Sequence, residues 1–157
     1  MHKFSVTLFN TNQSALKYIL NAALYSTIPA LALSYILSSL FPNLQFPEFP
    51  GSPALLVFSV VILSPIIETL LMWPLIALLS RFTSSTIKIS IVSALVWAIL
   101  HSLSAPIWGV TIFLSFVIFS ICFIVWRKKS LKKAYWMTCG VHMTQNAVAT
   151  LLILIEG

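Results

Sequence analysis

Five long apolar runs divide this chain, and every lysine and arginine falls in the short polar stretches around them or in the first three residues of a run. A hydrocarbon core about 30 Å thick is crossed by about 20 apolar residues in helical form. Within it, each backbone N–H and C=O must be bonded inside the segment. The runs therefore predict helices over about Ala15 to Leu40, Pro53 to Leu79, Ile87 to Ser102, Ile107 to Trp126 and Ala134 to Ile155. The expected fold class is all-α, a polytopic transmembrane helix bundle of about five spans. Composition agrees: 8% of the residues are charged, where soluble domains carry about 25%. The 157 residues read as a single integral-membrane domain. Residues 1–52 form an N-terminal span with its connector, and residues 53–157 form a four-helix core. The first run ends a basic flank and contains Ala30-Leu31-Ala32, much like a cleavable leader. It continues to Leu40, past a leader's apolar region of about 7–15 residues, so it is expected to stay as an anchor.

The net charge of +6 invites a nucleic-acid reading, and the placement of the charges removes it. With the N-terminus cytoplasmic, the inner segments hold Lys3, Lys17, Arg81, Lys88, Arg127, Lys128, Lys129, Lys132 and Lys133, all nine basic residues. The outer connectors, 41–52 and 103–106, hold none. This is the positive-inside pattern, and the basic cluster at 127–133 is accounted for by topology and contact with anionic lipid. No nucleic-acid partner is expected. Phe41, Phe46 and Phe49 in the proline-rich connector suit a membrane interface. Cys122 and Cys139 form neither a disulfide framework nor a CxxC pair and read as small apolar packing residues.

Against this background Glu68 stands out. The chain has three acidic residues, and only Glu68 falls in the middle of a span. A charge there costs about 2.5–3.5 kcal/mol on insertion scales, so such a residue faces the bundle interior and marks a functional site. No lysine or arginine lies at its depth to pair with it. His101 on the third run and His142 and Asn146 on the fifth fall in the same layer near the midplane, given a rise of about 1.5 Å per residue. His142 and Asn146 share a helix face. The fourth run has no ionisable group and reads as packing. Pro65, three residues before Glu68, removes a backbone donor and frees a carbonyl one turn earlier, which a neighbouring helix or water must satisfy.

One glutamate and two histidines are able to ligate a divalent metal such as zinc. They are equally able to hydrolyse an amide without one. Glu68 would take a proton from water as general base, and His142 and Asn146 would stabilise the oxyanion. No GxSxG or HExxH motif is present. A lone helix histidine is usually structural and a lone asparagine is often interhelical glue; four such groups in one layer are poorly explained that way. A proton pathway is disfavoured by the lack of an inverted repeat.

The residues run Glu-Thr-x-x-x-Trp at 68–73, Trp-x-x-x-His at 97–101, a spacer helix, then His-x-x-x-Asn at 142–146. This order resembles the CPBP (Abi, CAAX protease and bacteriocin-processing) family of intramembrane proteases. That family's motifs are Glu-Glu-x-x-x-Arg, Phe-x-x-x-His and His-x-x-x-Asn/Asp on four core helices. The resemblance covers about residues 57–155. It implies an intramembrane endopeptidase of the glutamate type, acting on a membrane-associated protein or peptide. Glu68 would be the water-activating base, His101 would position the water, and His142 with Asn146 would form the oxyanion site. No cofactor is implied, zinc being the less favoured alternative. A multi-pass protein of a bacterial or archaeal cell membrane is expected. Thr69 and Trp73 depart from the family's second Glu and its Arg, and lose them as a pair. The other reading is a non-catalytic membrane protein on the same scaffold, an immunity or assembly partner.

Overall fold

The computed structural model describes residues 7–43, 47–49 and 51–156. Lys3 and Phe46, part of the charge and interface patterns above, lie outside the described residues. Five helical rods run through the rest: α1 (Ala15–Leu40), α2 (Pro53–Leu79), α3 (Thr86–Ser102), α4 (Pro106–Arg127) and α5 (Leu131–Glu156). Four are long and apolar enough to cross a membrane. α3, at 17 residues, is at the lower limit of the range that spans, about 17–25 residues. No strand occurs among the described residues. The chain is thus an all-helical, multi-pass integral membrane protein.

Local chemistry sets the helix starts. Ser14, Ser52 and Ser85 each accept a hydrogen bond from the backbone N–H three residues on, as N-caps do. Pro53 and Pro106 sit in the first turn, where the missing N–H costs nothing. α5 begins a turn earlier than its hydropathy suggests, at Leu131, because Ser130 accepts from Lys133 N–H at 3.1 Å.

α4 stands at the centre, packed by the other four helices, with α1 against α4 and α5, and α2 against α3 and α5. The expectation that the fourth run is packing therefore holds, and α4 is the most buried span. α3 and α4 approach closely. A Cβ on Gly109 would stand 2.0 Å from Ser102 Oγ and 2.1 Å from the Ala98 carbonyl oxygen. Polar threads tie the rods together. Gln145 Nε2 donates to Ser115 Oγ at 2.9 Å, and Ser115 Oγ donates to the Ser26 carbonyl at 3.3 Å, linking α5, α4 and α1. Ser120 Oγ donates to Ser93 Oγ at 3.0 Å, linking α4 to α3. Cys122 and Cys139 are free and buried. Phe49 packs edge-on against Trp108, with ring centroids 5.7 Å apart.

α2 is not one uniform helix. It starts as α-helix at Pro53–Leu56, widens to a π-helix over Val57–Leu63 and returns to α-helix at Ser64–Leu79. In the π register each N–H reaches the carbonyl five residues back, as Ser64 N–H does to Ser59. The next bond of that series would join residue 65 to Val60, and residue 65 is a proline with no N–H. The orphaned carbonyl is therefore that of Val60, one residue earlier than an unbroken α-helix requires. A neighbouring helix supplies the donor, as expected: Asn146 Nδ2 on α5 donates to Val60 O at 2.8 Å. Tyr135 OH donates to Ile66 O at 3.1 Å, and Cys139 Sγ contacts Pro65 O at 3.6 Å. Three side chains of α5 thus fasten the irregular stretch that leads into Glu68.

Candidate active site

Glu68 lies 11 residues from the end of α2 and His142 lies 11 residues into α5, about 16 Å from the same membrane face by helical rise. α3 brings His101 to them from the antiparallel neighbour. His101 Nε2 stands 3.9 Å from Glu68 Oε2, and His142 Nε2 stands 4.0 Å from that same oxygen. Both gaps exceed a direct hydrogen bond. Two bonds of about 2.8 Å meeting at one oxygen at about 90–110° span about 4.0–4.6 Å, so each gap is at the short end of what one water bridges. Glu68 Oε2 has no hydrogen-bond partner among the described residues. The other carboxylate oxygen, Oε1, accepts from the Ser64 hydroxyl one turn earlier. A helix hydroxyl ordinarily bonds back to its own backbone; here it holds the carboxylate instead.

The orientation of His101 is fixed from behind. Its Nδ1 lies 2.8 Å from the Trp97 carbonyl oxygen, which can only accept, so Nδ1 carries the proton. In the neutral ring Nε2 then presents a lone pair toward Glu68. His142 Nδ1 is buried with no partner among the described residues. Its ring is held by stacking on Phe119, 4.4 Å between centroids, and by the edge of Phe116 at 5.7 Å. Phe116 also packs against His101 at 5.3 Å and stacks on Trp97 at 5.0 Å, and Trp108 meets His101 edge-on at 4.6 Å. An aromatic cage thus grips both imidazoles, and α4 supplies Trp108, Phe116 and Phe119. The sequence does not disclose these contacts, since an aromatic in an apolar run looks the same whether it packs on leucine or on an imidazole.

Glu68, His101 and His142 are brought together. Asn146 sits one turn along α5 from His142, and its recorded hydrogen bond goes to Val60 rather than to the carboxylate. The side chains of Glu68, His101 and His142 are 15%, 12% and 5% exposed, and Glu68 Oε2 itself is buried, so the cluster is nearly sealed. Thr69 is fully buried. Trp73 is 37% exposed, with the Arg127 guanidinium 6.0 Å from its ring centroid. A carboxylate is therefore absent from a buried position, and the edge that Trp73 occupies receives a cation from the end of α4.

The family model described as type II CAAX prenyl endopeptidase Rce1-like matches residues 50–148, well over half of the chain. The chain belongs to this family. The resemblance drawn from the three motifs is borne out, because the Rce1-like match falls within the CAAX protease group and spans Glu68, His101, His142 and Asn146. At family level the protein is a CAAX-type intramembrane endopeptidase, a peptide hydrolase of the membrane. No curated protein and no solved structure matches it.

Proposed function

We propose that this Rce1-like protein hydrolyses a peptide bond of a membrane-associated protein or peptide with water activated by Glu68. The observation that carries the reading is the pair of imidazole nitrogens at 3.9 and 4.0 Å from one carboxylate oxygen. A water between them donates one hydrogen to Glu68 Oε2 and one to the lone pair of His101 Nε2. Its oxygen attacks the scissile carbonyl carbon as Glu68 takes the proton. The carbonyl oxygen becomes an oxyanion and accepts from His142 Nε2–H and from Asn146. A primary amide has two N–H donors, so Asn146 keeps one on Val60 and offers the other. Glu68 then returns its proton to the leaving amine, and the carbon–nitrogen bond breaks. The aromatic cage excludes bulk water and keeps both rings from rotating away. The whole chain acts as one domain, with residues 53–157 the catalytic core and α1 its N-terminal support. The cell membrane of a bacterium or archaeon is the proposed setting.

The test is Glu68→Gln in cells that make the full chain, with new N-termini mapped across the membrane proteome. Loss of the base is expected to lower cleavage by about 10²–10⁴-fold, with the variant accumulating in the membrane like the parent. Unchanged N-termini in parent and variant alike would favour the non-catalytic scaffold, an immunity or assembly partner. Purified protein is expected to cleave in the presence of a chelator. Inhibition by chelation that zinc reverses would replace the metal-free reading with a metalloprotease.

A further inference from the structure

Where the first residues of α1, the end of α4 and the first turn of α5 meet, they line an open cavity of about 620 Å³. Lys129, Lys132 and Lys133 line it, and no carboxylate does. Lys129 is already positioned: its ammonium donates to the Thr11 carbonyl and to Asn12 Oδ1 at 3.4 Å, and stands 5.3 Å from the centroid of the Trp126 ring. Lys132 and Lys133 form no ion pair among the described residues. They also occupy the first turn of α5, which holds no acidic residue. That is the positive end of a helix, where a cation is disfavoured and an anion welcomed. Two lysines at such a place are an electrostatic conflict that a bound anion resolves. Trp126 lines the same cavity and meets Tyr18 edge-on behind it, ring centroids 5.2 Å apart.

The geometry points to a site for the phosphate of an anionic phospholipid headgroup. Lys132, Lys133 and the α5 N-terminus bind the phosphate, and Lys129, fixed by Thr11 and Asn12, closes the third side. The surroundings favour a lipid over a soluble anion. The cavity opens at the ends of three apolar helices, and the indoles of Trp126 and Trp136 are side chains typical of the membrane interface. Trp136 and Met137 give it apolar walls, which a glycerol backbone and the start of an acyl chain fill and a free phosphate leaves bare. The site is separate from the carboxylate–imidazole cluster, which lies about 15 Å deeper along α5. It stands whether or not the protein cleaves peptides.

Native mass spectrometry of the full chain in detergent, with palmitoyl-oleoyl phosphatidylglycerol or phosphatidylcholine added, tests it. The parent is expected to retain one phosphatidylglycerol about 10-fold more strongly than phosphatidylcholine. Each lysine near an anionic group is worth about 5-fold, so the double variant Lys132→Gln/Lys133→Gln should lose about 25-fold. Arg81→Gln/Lys88→Gln, which removes two charges at the same membrane face, should retain the lipid. Equal loss in both variants, or no headgroup preference in the parent, overturns the site. Displacement of phosphatidylglycerol by millimolar inorganic phosphate overturns the lipid as its occupant.

Discussion

Asn146 makes opposite demands legible at a single residue. Its position on the His142 face suggests an oxyanion donor, while its hydrogen bond to Val60 makes it a backbone partner for a proline-broken helix. Truncation to alanine removes both. A carbonyl left unsatisfied in a dry interior costs about 1–3 kcal/mol. Asn146→Ala should therefore lower unfolding stability in detergent by about that amount, in addition to any loss of cleavage. Changing Pro65 separates the roles. Pro65→Ala restores the N–H that the π register aims at Val60, so Asn146→Ala should cost less in that background. A coupling of about 1 kcal/mol in the double-mutant cycle is expected. Full additivity would mean that Val60 does not depend on Asn146. Phe119, stacked on His142, offers a cleaner catalytic readout. Phe119→Leu keeps most of the apolar volume, with a stability cost of about 1.5 kcal/mol or less. It frees the imidazole to turn, and cleavage should fall about 10-fold while the protein stays folded.

The helices differ in how far the sequence discloses them. The ends of α2, α3 and α4 are readable to within a residue, because Ser52, Ser85, Pro53 and Pro106 carry local start signals. The π segment is not readable. Pro65 announces that a carbonyl will be orphaned, but which one depends on the π register before it, and its donor, Asn146, lies 86 residues from Val60 in sequence. A polar pattern locates Glu68, His101 and His142 in one layer, since a charge in lipid has few permissible neighbours. It says nothing of the aromatic cage, whose members are apolar in an apolar context. The tight crossing of α3 and α4 is equally hidden, as Gly109 is one small residue among many apolar ones. It has a sharp consequence. A methyl group at Gly109 meets the Ala98 backbone at 2.1 Å, and backbone cannot swing aside as a side chain can. Gly109→Ala should force the two helices apart and cost at least about 1–3 kcal/mol, read as an earlier thermal transition in detergent. Because α3 carries His101, cleavage should fall more than the loss of folded protein explains. A variant with parental stability and parental cleavage would show that the crossing tolerates a wider spacing.

At the scale of the molecule, antiparallel succession fixes which connectors share a side. α2 leads through residues 80–85 into α3, α3 through 103–105 into α4, and α4 through 128–130 into α5. Residues 80–85 and 128–130 therefore lie at one end of the bundle and 103–105 at the other. Geometry alone does not say which end faces the cytoplasm; we propose that the first end does, because Arg81, Lys88 and the basic residues from Arg127 to Lys133 crowd it and none stands at the second. The two inferences are testable in one experiment on a chain with Cys122 and Cys139, both buried, replaced by alanine. Single cysteines at the exposed positions Ser84, Ser104 and Lys128 are offered to a membrane-impermeant maleimide. Ser104→Cys should react in intact cells, whereas Ser84→Cys and Lys128→Cys should react only once the cells are opened. The reverse pattern would keep the bundle and overturn the orientation drawn from charge. Reaction of Ser84→Cys and Lys128→Cys from different sides would break the antiparallel succession itself, and with it the depth match that sets His142 against Glu68.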